Sequence, residues 1–128
     1  MRALLDTHAL LWWLTDNPAI SQKAKNLIEE RGNEVLVSAA SAWEIATKVR
    51  LGKLSQAETL VQDFGGFVAR ARFEELPVTS QHAVRAGLLP GPHRDPFDRM
   101  IVAQCEAENL PLISRDRIFD QYKIRRIW

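Results

Sequence analysis

A chain of 128 residues with 46% apolar content is long enough to bury one real core, so residues 1–128 read as a single domain. The 17 basic and 16 acidic residues leave a formal charge of +1, a balance that rules out neither nucleic acid nor small molecules as partners. One cysteine, Cys105, excludes an internal disulfide, and the longest apolar run, Ala9 to Leu14, is too short to cross a membrane.

The N-terminus starts a strand at once, Ala3-Leu4-Leu5, without a signal peptide's charged lead, apolar stretch and cleavage site; the expectation is a soluble, cytoplasmic protein. Asp6-Thr7 closes that strand, an apolar helix from Ala9 to Leu14 follows, and Asn17-Pro18 ends it. Ser21 can cap a second helix carrying Ala24, Leu27 and Ile28. Glu34 to Val37 is a β-branched strand, and Ser38 or Ser41 starts a third helix that Gly52 stops. Gln56 to Arg72 reads as a fourth, amphipathic helix through Leu60, Val61, Phe64 and Val68, weakened by Gly65-Gly66. Phe73 to Val78 is a minor strand, a short helix capped by Thr79 or Ser80 runs through Ala86, and Gly87 to His93 is a loop. Asp95 caps a helix from Pro96 to Glu108, since proline's missing donor costs nothing at the first helical position, and Cys105 on that helix is a core residue. Leu112 to Ser114 and Lys123 to Ile127 are the last strands. Strands alternating with helices indicate an α/β sandwich with a largely parallel sheet.

Four acids stand where an apolar run ends or a helix begins: Asp6, Glu44, Asp98 and Asp116. Each has a purely structural use. Asp6 and Asp116 can cap the segments after them, Ser41-x-x-Glu44 and Asp95-x-x-Asp98 have capping-box spacing, and carboxylates near helix starts gain ~0.3–1 kcal/mol from the macrodipole. Capping does not require that all four fall at one end of a parallel sheet, the edge where such folds bind ligands. A hard cation does, because it takes oxygen ligands, keeps several waters and leaves open positions for a phosphate; Mg²⁺ fits best and Mn²⁺ suits the same oxygens. Carboxylates gathered without such a cation repel one another or hold protons.

Smaller expectations attach to the neighbours. Thr7 and Ser114 could hydrogen-bond ligand carboxylates, Lys48 could pair with Glu44 one turn away or touch phosphate, and Arg99 could hold a carboxylate or phosphate. Asp95 is read as a cap, His8 as structural, and Trp12, Trp13 and Trp43 as packing or protein-interface residues. From Arg115 to Trp128 five basic residues face two acids, a local excess that suits a polyanion held beside an acidic centre.

Leu4-Leu5-Asp6-Thr7-His8, Ser41-Ala42-Trp43-Glu44-Ile45, the stretch His93 to Gln104 with its Asp-Pro-Phe-Asp-Arg core, and Ser114-Arg115-Asp116 together resemble the PIN domain, specifically the VapC type of toxin ribonuclease, over essentially the whole chain. The resemblance implies a three-layer α/β sandwich with a central sheet of four to five strands flanked by helices. It also implies a metal-dependent endoribonuclease that leaves 5′-phosphate and 3′-hydroxyl ends, pairs with an antitoxin protein and forms a homodimer. Carried over by position, it makes Asp6, Glu44, Asp98 and Asp116 the acidic site, with Asp6 and Asp98 the direct Mg²⁺ ligands. The rival expectation is a PIN-like module that binds RNA or a peptide without cutting it. An aspartyl-phosphate phosphatase fits less well, because position 8 is His where that chemistry wants a second aspartate.

Overall fold

A computed structural model describes every residue from Met1 to Trp128. In chain order the elements are β1 (Arg2–Leu5), α1 (Thr7–Leu14), α2 (Gln22–Glu29), β2 (Glu34–Ser38), α3 (Ala39–Arg50), α4 (Glu58–Gln62), α5 (Phe64–Arg70), β3 (Glu74–Leu76), α6 (Ser80–Leu88), α7 (Pro96–Glu108), β4 (Leu112–Ile113) and β5 (Arg126–Ile127). Two 3-10 turns, Ser55–Ala57 and Arg117–Gln121, complete the path.

The five strands form one sheet in the order β3-β2-β1-β4-β5, and every neighbouring pair is parallel. Strands alternate side chains between the two faces, and the core obeys that period. Ala3, Leu5, Val35, Val37 and Ile113 belong to one apolar cluster, together with residues of α1 to α5. Leu4, Leu36 and Leu112 belong to the other, with Ile101, Val102 and Cys105 of α7. The result is the expected three-layer α/β sandwich. No helix is long and apolar enough to cross a membrane. Cys105 is buried, and desolvation pushes its thiol up to about 12, so it remains a packing residue.

The stretch from Gln56 to Arg72 is not the single helix that periodicity suggests. It breaks at Asp63, whose non-helical φ of -149° and ψ of 56° end α4 and whose carboxylate caps α5 by accepting from the Gly66 amide at 3.2 Å. A Cβ on Gly66 would lie 2.1 Å from Asp63 Oδ2, so the glycine that weakens the helix is also what lets the cap close. The last strand is shorter than expected, two residues of the five from Lys123 to Ile127, because only Arg126 and Ile127 pair with β4.

Helix α3 is capped by Ser38, whose Oγ accepts from the Ala40 amide at 3.0 Å, and not by Ser41. Glu44 therefore stands in the second turn rather than the first, and the Ser41-x-x-Glu44 capping box does not form. Asp95 does cap α7, accepting from the Phe97 and Asp98 amides at 2.9 and 3.0 Å with Pro96 at the first helical position.

Candidate metal centre at the strand crossover

Strand order reverses between β1 and β4, so the chain leaves their carboxyl ends in opposite directions and opens a crevice there. Asp6 follows β1 directly, Ser114 follows β4, and Ser38 ends β2. Continuing the alternation of Leu4, Leu36 and Leu112, these three polar side chains turn to the face covered by α7. Helix α7 runs back toward the start of β4, which brings its first turn, and Asp98, to the same edge.

Asp6 is 6% exposed. Its carboxylate caps α1 through the Ala9 amide at 2.7 Å and accepts a short hydrogen bond from Ser114 Oγ. Burial raises its pKa from 3.8 to about 6; the bonds from Ser114 and Ala9 pull the other way without cancelling it, and the charge of Asp98 adds to the rise. Asp98 is also raised, by desolvation first, against the hydrogen bond from His93, with Asp95 and Glu44 adding repulsion. Asp98 thus sits within electrostatic reach of both Asp6 and Glu44, which come from distant parts of the chain. Asp116 is exposed and joins them differently: with Asp6, His8, Trp12, Arg115 and Arg117 it lines a recess of about 380 Å³. It also caps the turn after it, accepting from the Ile118 amide at 3.0 Å.

Two of the acids face a basic side chain. Glu44, 4% exposed, pairs with Lys48 at 2.5 Å, the i,i+4 contact expected from spacing. Asp98 Oδ2 lies 2.8 Å from His93 Nε2. No three His, Cys, Asp or Glu side chains stand close enough to form a ready-made chelate. Asp6 and Asp98 nonetheless fit a hard cation: both offer carboxylate oxygens and both are disfavoured as free anions. No Lys or Arg side chain pairs with either. Mg²⁺ is commonly held by one or two carboxylates with water and substrate phosphate, so a two-acid seat suffices.

Several neighbours act otherwise than expected. Ser114 does bond a site carboxylate, but Thr7 Oγ1 donates to Ser41 Oγ at 3.0 Å instead. Arg99 pairs with no carboxylate: its guanidinium donates to the carbonyls of His93, Ala86 and Leu89 at 3.0, 3.0 and 2.5 Å, tying the loop before α7 to the end of α6. Trp43, expected to pack or to face a protein partner, is 60% exposed and sets its ring edge-on to Phe97 at 4.7 Å. Three contributors escaped the sequence. His93 reaches Asp98 across the Asp95-Pro96 bend, Gln104 links α7 to Ser38 at 2.5 Å, and Trp128 packs on Trp12 with centroids 5.8 Å apart. Each is a contact between separated segments, for which only the His93 position next to a helix cap gave a local signal.

The molecule is thus an all-parallel α/β sandwich with a buried Asp6 and a partly buried Asp98 at its strand crossover. The PIN-domain family profile matches residues 3–124, and the chain belongs to that family. No curated protein sequence matches it. Among solved structures it is similar to a chain of VapBC2 from Rickettsia felis bound to a DNA fragment from their promoter, at 17% identity, covering 99% of this chain and 98% of that one with a TM-score of 0.71. It is similar to FitAcB from Neisseria gonorrhoeae at 21% identity, 100% and 97% coverage and a TM-score of 0.64. A toxin–antitoxin complex from Klebsiella pneumoniae gives 18% identity, 90% and 87% coverage and a TM-score of 0.57.

Proposed function

We propose that the chain, acting as one PIN domain, is a Mg²⁺-dependent endoribonuclease and the toxin component of a toxin–antitoxin pair. The observation that carries this reading is the pair Asp6 and Asp98. A buried carboxylate, Asp6, and a partly buried one, Asp98, come from distant parts of the chain to the edge where parallel sheets bind ligands, and desolvation raises the pKa of each. Membership of the PIN family and likeness to chains of toxin–antitoxin complexes support the rest.

Asp6 and Asp98 are the residues that would hold the cation, and Mn²⁺ would serve the same oxygens. When bound, the ion supplies Lewis-acid charge that favours deprotonation of water and offsets negative charge developing on the phosphate. The protein's own share is positional. The Ala9 amide and Ser114 Oγ hold the Asp6 carboxylate in one orientation. His93 contacts Oδ2 of Asp98 and leaves Oδ1 open to a new partner. Glu44, fixed by Lys48, and Asp116, at the mouth of the recess, complete the negative pocket that orients the attacking water. Attack on phosphorus breaks the bond to the 3′ oxygen, leaving 5′-phosphate and 3′-hydroxyl ends.

A second reading has one observation in its favour: Glu44 and Asp98 are already paired with Lys48 and His93, as they would be in a PIN-like module that binds RNA or peptide without cutting. Cleavage of a structured RNA by the purified protein separates the two. With Mg²⁺ the parent chain is expected to cut. Asp6→Asn, Asp98→Asn or chelation is expected to slow cutting by more than about a hundredfold, since losing several kcal/mol of charge stabilisation multiplies at ~1.4 kcal/mol per tenfold. Cutting that survives chelation sinks the metal mechanism; Mg²⁺ and RNA binding without any cutting supports the non-cleaving module. The partner is proposed to be a cognate antitoxin, the assembly a homodimer and the compartment the cytoplasm. Co-expression with the neighbouring reading frame, followed by sedimentation, tests the first two.

A further inference from the structure

The recess beside Asp6 has a second wall that the acidic chemistry leaves unused. His8 and Trp12 lie one turn apart on α1 and share a face, with ring centroids 5.9 Å apart and planes 31° from parallel. Trp128, just after β5, supports Trp12 from another side at 56°. Arg115 places its guanidinium carbon 5.7 Å from the Trp12 ring centroid. Arg115 and Arg117 are exposed and Trp12 is half-buried, so the cations and part of the indole remain reachable from solvent.

We propose that this recess is a nucleobase subsite: one unpaired base of the RNA, next to the phosphate being cut, stacks on Trp12 while Arg115 and Arg117 take the adjoining phosphates. The assignment of the cut phosphate rests on the nuclease reading above; base binding by the recess does not. A nucleotide is a flat π-system joined to an anion, and the recess offers an aromatic ring bordered by two cations. About 380 Å³ lies within the range of small-molecule sites. A basic peptide would meet Arg115 and Arg117, and an acidic one would meet Asp6 and Asp116, so neither uses the whole wall. A duplex cannot offer the face of a paired base, which makes the ligand a loop or single strand. The two arginines also offset the repulsion that Asp6 and Asp116 exert on any incoming phosphate.

The test reads binding without cleavage. In the full-length Asp6→Asn chain with EDTA present, a labelled single-stranded octaribonucleotide is titrated by fluorescence polarisation, alongside copies carrying one abasic residue at each position in turn. Trp12→Leu keeps an apolar side chain but no ring and is expected to weaken binding about tenfold, while Trp12→Phe restores most of it. One abasic position should cause the same loss, and combining it with Trp12→Leu should add little. Arg115→Ala should weaken binding several-fold and flatten its dependence on salt. Equal affinities for the Leu and Phe variants, or a Trp12→Leu loss that every abasic copy shares undiminished, overturn the subsite. So does a Trp12→Leu chain that keeps oligonucleotide affinity but loses the co-expressed antitoxin, which would assign the wall to a protein. An oligonucleotide that binds through Trp12 yet is never cut by the parent chain with Mg²⁺ would sink the nuclease reading and leave the subsite standing.

Discussion

Asp6 serves two ends that conflict in the metal-free protein. As a cap it must sit at the start of α1, and as a buried carboxylate it is costly to ionise. Its folded pKa of about 6 lies above the ordinary 3.8, so between those values the native state binds more protons than the unfolded chain. Stability must then fall as pH rises through that window, by at most about 3 kcal/mol at ~1.36 kcal/mol per pKa unit. Asp6→Asn keeps an oxygen for the Ala9 amide but carries no charge. In EDTA at pH 7.5 the variant is expected to melt several degrees above the parent, and Mg²⁺ should raise the parent's Tm without moving the variant's; a variant that melts lower contradicts the account of burial as the cause. At this scale the sequence was informative wherever an acid ends a strand. It was silent on Trp128 and offered for His93 only its place beside a helix cap, because a contact across a proline bend or between the two ends of the chain leaves no periodic trace.

Helix α7 shows how element-level features converge on the site. Asp95 and Pro96 fix where it starts, and Arg99 ties the preceding loop to α6 through three carbonyls. Gln104, fully buried, accepts from Ser38 Oγ and donates to the Pro77 carbonyl at 3.2 Å, so α7 is bonded to the residue that caps α3. That chain of contacts sets Asp98 relative to Glu44. Gln104→Leu keeps volume but strands buried polar partners, and is expected to cost about 2 kcal/mol, seen as a lower urea midpoint at an unchanged m-value. Arg99→Lys removes the planar fork and should cost about as much, with the added sign that the Leu89 to Asp95 loop becomes an early site of proteolysis. Unchanged midpoints would mean that these bonds do not hold the layer together. Boundaries of α7 were readable because proline and aspartate act locally. The break at Asp63 was not, because the cap outweighed an apolar period that continues through it.

For the whole molecule, the reversal of strand order between β1 and β4 is the feature that gathers residues from positions 6, 44, 98 and 116 to one edge. Alternation of strands and helices announced a parallel sheet, and short β-branched or apolar runs announced its members; their spatial order depended on contacts that no single segment encodes. The basic excess after Arg115 also gains a location, since Arg115 and Arg117 line the recess at Asp6. A cation in the proposed seat would compete with protons for Asp6, so its affinity should fall as pH drops through about 6. The most direct measurement is calorimetric titration of Mg²⁺, repeated with Mn²⁺, into the parent, Asp6→Asn and Asp98→Asn chains at pH 7.5 and pH 5. A shared seat requires binding in the parent at pH 7.5, at least about tenfold weaker binding at pH 5, and loss of that site in either variant. Equal affinity in all three chains, or at both pH values, would contradict it.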